Sequence, residues 1–346
     1  MTHTIHHQSR RELQRNAIRV GDALDQLRQL PDSTIDQVVT SPPYFRLRDY
    51  AADEQIGLEQ HVDEWAERLA VVSAEVHRVL VPTGTYWLNL GDTYSLHPSQ
   101  GASRKNLLMA PERLALRLQH DGWIIRNKII WAKTNPMPIS VRDRLACTYE
   151  VIYVLAKQHA YFFDLDAIRQ PHKTRPTTPR PKRQAREEDW RGPNSDSSTG
   201  LDGLKARGLA GHPLGKNPGD VWQLATANHR GDHHAMFPLT LASRMIAAGC
   251  PEARCTRCRL PWRRRLIRAL GGVATRTALA PTCDCQAPSE PGIVADPFMG
   301  NGTTAIAAEV LGRDWLGIEL NAEFAASAEA RIASERDRRT HESSAT

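Results

Sequence analysis

The stretch Ile293-Val-Ala-Asp296-Pro-Phe-Met-Gly300-Asn-Gly302-Thr-Thr304 runs from a short apolar segment straight into a glycine turn. The segment Ile293 to Ala295 reads as a buried strand, the glycines as a loop, and Thr303 to Leu311 as a helix. A further apolar segment, Trp315 to Leu320, carries Glu319 at its end. Strand, glycine loop, helix, strand, acid is the plan of a nucleotide-binding half of an open α/β sheet. Gly300 and Gly302 let backbone approach a ligand, and Thr303 is placed to cap the helix that starts there. Glu319 lies 17 residues after Gly302, where a carboxylate can accept hydrogen bonds from both hydroxyls of a ribose. The loop lacks the G-x-G-x-x-G spacing of dinucleotide sites, and Asp296 beside the turn would repel a phosphate. It can hold a cationic tail instead, so the loop points to a nucleoside bearing an amino acid. A tight turn with a structural aspartate is the other reading.

Outward from this stretch the same alternation recurs. Strands are expected at Ile18 to Gly21, Ile35 to Thr40, Tyr86 to Leu90, Ile124 to Ala132 and Tyr149 to Leu155. Between them come Ala23 to Leu30, stopped by Pro31, then Val62 to Leu80 with Trp65, Leu69, Val72 and Val76 at helical spacing, then Leu107 to Gln119. Order resumes at Asp220-Val221-Trp222, and helices follow at Leu239 to Ala248 and Glu323 to Arg338. Strands alternating with helices of this length predict a doubly wound sheet with helices on both faces.

The second of these strands delivers Thr40-Ser41-Pro42-Pro43-Tyr44-Phe45. Each proline fixes its own φ and holds the preceding residue extended, so this loop is stiff. Neither proline has an N–H, so the Pro42 carbonyl and the Ser41 hydroxyl can offer two acceptors to one place, with Tyr44 as a face for a planar ring. The exocyclic amine of a nucleobase suits such a pocket. Binding both of its protons favours a pyramidal nitrogen whose lone pair can attack an electrophile. A proline-rich turn without chemistry is the alternative for this stretch alone.

At 346 residues, 40% of them hydrophobic, the chain can bury one large α/β domain with insertions or two domains. No apolar run reaches membrane length and Thr2 to Arg15 lacks the apolar centre of a secretory signal, so a cytoplasmic protein without membrane contact is expected. The net charge is 45 − 39 = +6, which suits a polyanionic partner. From Arg169 to Pro218 the periodicity breaks in a Pro-, Gly- and Ser-rich stretch carrying Arg169, Lys173, Arg175, Arg180, Lys182, Arg183, Arg186 and Arg191. It reads as a long loop, either a solvated linker or a basic arm for nucleic-acid phosphates. Five of six cysteines fall in the 36 residues from Cys250 to Cys285. Cys255-Thr-Arg-Cys258 and Cys283-Asp-Cys285, separated by 24 residues, can close a tetrahedral structural zinc site in a small ribbon rich in arginine (Arg259, Arg263, Arg264, Arg265, Arg268), with Cys250 as the spare. Free cysteines without metal are the alternative. The ribbon would either clamp its loop or add DNA contacts. Cys147 is expected as a core thiol.

Taken together, Asp296-Pro-Phe-Met-Gly-Asn-Gly-Thr-Thr and Thr40-Ser-Pro-Pro-Tyr resemble the two signature motifs of the amino-DNA methyltransferases that use S-adenosylmethionine. The catalytic motif precedes the cofactor motif, which resembles the permuted β class, with target recognition between the two. Gly21-Asp22, Gly84 to Tyr94, Asn127 to Pro138 and His234-Ala-Met-Phe-Pro238 look like further stretches of that family, whereas Met299 and Asn301 stand where it more often has Ala and Ser. The resemblance implies a permuted Rossmann-like sheet in which Ser41, Pro42, Pro43 and Tyr44 form the catalytic loop. It likewise implies that Asp22, Phe237, Asp296, Phe298, Gly300, Gly302, Thr303 and Glu319 bind the cofactor. Its implied substrate is double-stranded DNA with a flipped target base, cytosine N4 being favoured by the serine before Pro-Pro-Tyr and adenine N6 the runner-up. A partner restriction endonuclease is expected, and a monomer or homodimer. The implied organisation is 1–168 catalytic half, 169–218 basic insert, 219–251 return to the core, 252–291 zinc-ribbon-like insertion, 292–338 cofactor half and 339–346 disordered tail. An inactive zinc-stabilised DNA-binding regulator is the reading from another class.

Overall fold

The computed structural model describes residues 13–49, 55–172, 212–227, 237–268 and 274–344. Its first six strands are β1 (Ala17–Val20), β2 (Ile35–Thr40), β3 (Leu80–Leu90), β4 (Ile124–Lys133), β5 (Tyr149–Ala156) and β6 (Val221–Leu224). The cysteine-bearing segment adds β7 (Arg254–Cys255), β8 (Leu266–Arg268), β9 (Ala274–Arg276) and β10 (Ser289–Glu290), and the chain closes with β11 (Ile293–Asp296) and β12 (Asp314–Glu319). The described helices are α1 (Ala23–Arg28), α2 (Val62–Val79), α3 (Ala110–His120), α4 (Leu239–Gly249), α5 (Thr303–Val310) and α6 (Ala322–Ser344). None of these helices is long and apolar enough to cross a membrane.

Eight strands form one sheet in the order β1-β12-β11-β2-β3-β5-β4-β6, in which only β5 runs against its neighbours. The connection β2-α2-β3 travels toward one edge of the sheet and β11-α5-β12 toward the other. Since crossovers between parallel strands are right-handed, opposite travel puts the helices on opposite faces. Accordingly α1 and α3 pack on α2, and α4 and α6 pack on α5. The strand order therefore reverses between β2 and β11, and the carboxyl ends of strands at such a reversal are where open α/β sheets form a ligand crevice.

Being central, β2 is buried along all six residues, including the polar Asp36, Gln37 and Thr40. Buried polar groups need partners, and each of these has at least one. Gln37 Nε2 donates to Met245 O on α4 at 2.8 Å, and Asp36 accepts from Ile293 N at 2.8 Å and from Arg254 Nη1 at 2.7 Å. Helix α4 crosses β2 closely enough that a Cβ at Gly249 would come within 2.3 Å of Gln37 Nε2.

Among the described residues, the chain divides into two compact units. The first runs to Asp164, from Gly219 to Arg263 and from Ala280 onward; the second holds 165–218 and 264–279. The expected 252–291 insertion is thus split, its cysteines in the first unit and the β8–β9 ladder in the second. In the second unit Arg169 donates to Asp166 and to Gly215 O, so this arginine of the basic stretch is an internal anchor. The residues 173–211, with most of that stretch's charge, and His234 to Met236 lie outside the described residues.

Three expectations need correction. Of the tail expected from 339, the described residues 339–344 belong to α6, where Arg339 Nη2 reaches Glu309 at 2.8 Å and Thr340 Oγ1 donates to Arg336 O. Cys147 is exposed, with its Sγ near Tyr94 Oη, because it lies in the loop before β5 and not on a core face. Helix α5 is capped by Gly302 without a side-chain bond, so Thr303 is its first residue and not its cap.

Candidate active site

The two loops singled out in the sequence leave adjacent strands. β2 and β11 pair in parallel, with Ala295 opposite Val38, so both chains turn out of the sheet at the same end. They are tied there by Thr40 Oγ1, which donates to Asp296 Oδ1 at 2.5 Å. Asp296 also accepts from Thr304 Oγ1 at 2.6 Å and from Phe298 N at 3.1 Å. Its side chain is buried, and burial pushes its pKa up to about 6 despite these donors. Asp296 thus joins β2, its own turn and the first turn of α5.

Past Asp296 the turn is shaped by Gly300 at φ +50° and Gly302 at φ +74°, the left-handed region that glycine enters without strain. At Gly302 a Cβ would also meet Ile332 on α6 at 3.0 Å, whereas beside Gly300 the space is open. Arg331, also on α6, donates to Asn301 O at 2.6 Å and to Thr303 Oγ1 at 3.0 Å, and the glycine loop is anchored from below. Met299 is buried against Gly317 of β12, where a Cβ would lie 2.2 Å from Met299 Cε. The bulkier residue at 299 is therefore accommodated by the absent side chain at 317. Phe298 is half-buried against the core.

Glu319 ends β12, two strands from β2. Its Oε2 accepts from Gly300 N at 2.9 Å and its Oε1 from Asn321 N at 3.0 Å. Each carboxylate oxygen has a second lone pair, so the group can accept further donors from a ligand lying on the glycine loop. Beside it, Gly21 N donates to Glu319 O, and Asp22 follows as the exposed N-cap of α1, accepting from Asp25 N at 3.0 Å. Phe237 is buried just before α4.

On the other side of the crevice, Pro42 is buried and Pro43 O accepts from Trp65 Nε1 at 2.9 Å, which fixes the loop to α2. Tyr44 lies against the backbone of Gly91, where a Cβ would come within 2.6 Å of its Cε2. Its hydroxyl stands 3.0 Å from Ser41 Oγ and donates to Glu150 Oε2 at 2.7 Å. Asn89 Nδ2 reaches Tyr44 Oη at 2.8 Å, Glu150 Oε2 at 2.7 Å and Ser41 Oγ at 3.3 Å. Lys133 Nζ pairs with Glu150 Oε1 at 2.6 Å. Asn89, Glu150 and Lys133 come from β3, β5 and β4, and sequence reasoning did not single them out. The available signal was a polar Asn inside the apolar run Tyr86 to Leu90, together with a Glu and a Lys on segments read as strands.

Elsewhere in the first unit the four cysteines of the two pairs converge. The Sγ atoms of Cys255, Cys258, Cys283 and Cys285 all lie within 4.8 Å of one another. Tetrahedral zinc with Zn–S of about 2.3 Å needs S···S edges of about 3.8 Å, so small rotamer adjustments would close this set on an ion. Cys250 stands apart, fully buried. Arg254, next to Cys255, runs inward to Asp36, Thr34 O and Glu290, and Arg259 donates to the Ser33 carbonyl. Arg263 stacks over the Phe162 ring at 5.0 Å. Arg254 and Arg259 thus tie the segment to the residues that lead into β2, and Arg263 packs it on Phe162 beyond β5.

Residues 35–330 match the family described as DNA methylase. The type II methyltransferase M.XycI of Xanthomonas campestris pv. cyanopsidis is 33% identical over 334 residues, which cover 90% of this chain and 86% of that protein. The type II methyltransferase M.SfiI of Streptomyces fimbriatus is 51% identical over 167 residues, but the match spans 46% of this chain and only 40% of that protein. Among solved structures, the PvuII DNA methyltransferase (cytosine-N4-specific) aligns with a TM-score of 0.55 over 93% of this chain and 91% of that one. At 17% identity this is a likeness of fold.

Proposed function

The chain belongs to the DNA methylase family of amino-methyltransferases, and on that premise we propose that it methylates the N4 amine of cytosine at a specific double-stranded DNA sequence. The observation that supports methyl transfer to an amine is the Thr40–Asp296 hydrogen bond, which joins the two loops at one switch point; the choice of cytosine rests on Ser41 before Pro-Pro-Tyr. S-adenosylmethionine, when bound, supplies the methyl group as part of a sulfonium. Glu319 would accept from its ribose hydroxyls, the backbone at Gly300 and Gly302 would lie along the nucleoside, and Asp22, Phe298, Thr303 and Phe237 would border it. Open space at Gly300 and spare lone pairs on Glu319 support this fit. Asp296 is buried and accepts from Thr40, Thr304 and Phe298 N, so it holds the two loops together at the floor of the cofactor site.

The target base leaves the duplex, because its amine is otherwise buried in pairing and stacking. Ser41 Oγ and the Pro42 carbonyl each accept one amine N–H, Pro43 keeps the loop rigid, and Tyr44 meets the base. Catalysis on this account is the positioning of the amine nitrogen, with its lone pair freed, by Ser41 and the Pro42 carbonyl. Ser41→Ala should slow transfer far more than it weakens DNA binding; a loss confined to binding would remove Ser41 from this role.

We further propose one structural zinc held by Cys255, Cys258, Cys283 and Cys285. The supporting observation is the convergence of four thiols from sequence positions 24 residues apart. Elemental analysis should return about one ion per chain, and a metal-free, fully stable protein would end the proposal. A cognate restriction endonuclease is the expected partner in the cell, with the methyltransferase itself a monomer or homodimer and cytoplasmic.

The deciding experiment treats plasmid DNA with protein and S-adenosylmethionine, identifies the modified nucleoside by mass spectrometry and maps it by sequencing. N4-methylcytosine at one sequence is the expected product. N6-methyladenine would correct the target base. DNA binding without transfer would indicate an inactive regulator.

A further inference from the structure

The cluster behind Ser41 has a direction. Glu150, a carboxylate paired with Lys133 Nζ at 2.6 Å, can only accept, so the single proton of Tyr44 points to it across 2.7 Å. Asn89 donates to that same carboxylate oxygen, which fixes its amide orientation and leaves its Oδ1 buried without a partner. Its Nδ2 also donates to Tyr44 Oη. With the Tyr44 proton committed, the 3.0 Å contact to Ser41 is made by the Ser41 hydroxyl donating to Tyr44 Oη. Of the two Ser41 lone pairs, one faces Asn89 Nδ2 at 3.3 Å and the other is left for the amine.

We propose that Ser41, Tyr44 and Glu150 form a proton relay that carries the proton released by methyl transfer away from the target amine, with Asn89 and Lys133 as positioning residues. The proposal rests on the methyltransferase reading above. As the nitrogen lone pair forms the N–C bond, the C–S pair leaves with sulfur, and the nitrogen becomes positively charged. One N–H bond then breaks and its proton joins Ser41 Oγ. The Ser41 proton moves to Tyr44 Oη, and the Tyr44 proton to Glu150 Oε2. An ammonium and a carboxylate become a neutral amine and a neutral acid, so charge balances. Glu150, whose side chain is 15% exposed, returns the proton to water.

A buried Asn89 Oδ1 without a donor is the cost of this arrangement. A purely structural tyrosine would not need it, because the reverse amide orientation could accept from both hydroxyls. Only the carboxylate demands the orientation seen.

The test begins with wild-type protein and the mapped DNA site. If the wild type transfers no methyl group to any DNA, the methyltransferase reading fails, and the relay with it. If it does, single-turnover transfer is measured in Glu150→Gln, which keeps an acceptor but takes no proton, and in Tyr44→Phe, which keeps the ring. Both should fall by about 10²–10³-fold, the scale of lost proton transfer. S-adenosylmethionine affinity by calorimetry and base flipping, read from a fluorescent base analogue at the target, should stay within about twofold, a readout on general binding scales. The deficit should shrink at high pH, where hydroxide replaces the relay, and Glu150→Ala should regain rate with added formate. Rates within about threefold of wild type, losses that appear in flipping or binding instead, or Tyr44→Phe impaired while Glu150→Gln is normal would each overturn the relay.

Discussion

Replacing Asp296 by Asn removes a charge from the best-buried carboxylate of the crevice while leaving its shape. Asp296 is 2% exposed and accepts from Thr40, Thr304 and Phe298 N. An Asn amide can keep the Thr40 and Phe298 bonds through its oxygen, and the Thr304 hydroxyl can rotate to accept from its nitrogen. What changes is the desolvated charge, which burial disfavours enough to raise the pKa from 3.8 to about 6. The folded chain thus holds a proton that the unfolded chain releases first. Stability from this group is fully present below pH about 4, falls as pH rises toward 6, and is lost above it. A difference of 6 − 3.8 = 2.2 units is about 3 kcal/mol at 1.36 kcal/mol per unit. Urea unfolding of wild type and Asp296→Asn between pH 4 and 8 isolates the effect, since every other titrating group is common to both. The variant should gain on the wild type by about 2.4 kcal/mol across that window, with most of the change between pH 4 and 6. Parallel pH profiles would refute the claim that Asp296 is a strained buried carboxylate. The same comparison separates structure from binding: if Asp296 acts by joining the loops, Asn should retain S-adenosylmethionine affinity better than Ala does.

Other consequences can be checked alongside. Glu319→Ala should weaken S-adenosylmethionine by about 10- to 100-fold, the scale of lost charge-assisted hydrogen bonds, and unchanged affinity by calorimetry would take Glu319 out of the site. Gly91→Ala inserts a Cβ 2.6 Å from Tyr44 Cε2, so the ring must shift; single-turnover transfer should drop by about 10²-fold, as a displacement near 1 Å can produce, with cofactor affinity unchanged. Arg254→Met leaves Asp36 buried without its cation, and urea unfolding at pH 7 should show a loss of about 3–5 kcal/mol, partly recovered in the Asp36→Asn background. Equal losses in both backgrounds would show that the ion pair is not what Arg254 contributes.

Local chemistry made much of this molecule legible in the chain. The β2 range, Ile35–Thr40, and the start of α5 at Thr303 coincide with their sequence expectations because a proline, a glycine or a change of period marks each boundary. The two loops were visible for the same reason, since backbone constraint in Pro42-Pro43 and Gly300-x-Gly302 is written in neighbouring residues. Where the reading fell short, the missing information was long-range. Thr303 looked like a cap because Thr often caps, yet its hydroxyl takes a bond from Arg331, 28 residues later. The residues 339–344 looked like a tail because they are polar, yet Glu309 on α5 draws Arg339 into the helix.

Periodicity tells which face of a strand a residue occupies but not which strand lies beside it. Asn89, Glu150 and Lys133 meet at Ser41 and Tyr44 because the antiparallel β5 enters between β3 and β4, setting Asn89 opposite Ile152 and Trp131 opposite Glu150. No local signal encodes that pairing. The order β11-β2 is likewise a product of the whole sheet, and it alone puts Asp296 within 2.5 Å of Thr40 across 256 positions. The sequence by itself determined the two loops, through proline and glycine geometry and a carboxylate at a strand end. Tertiary structure decided what lies between and behind them, because strand order and register follow from how all eight strands and their helices pack, not from any one stretch.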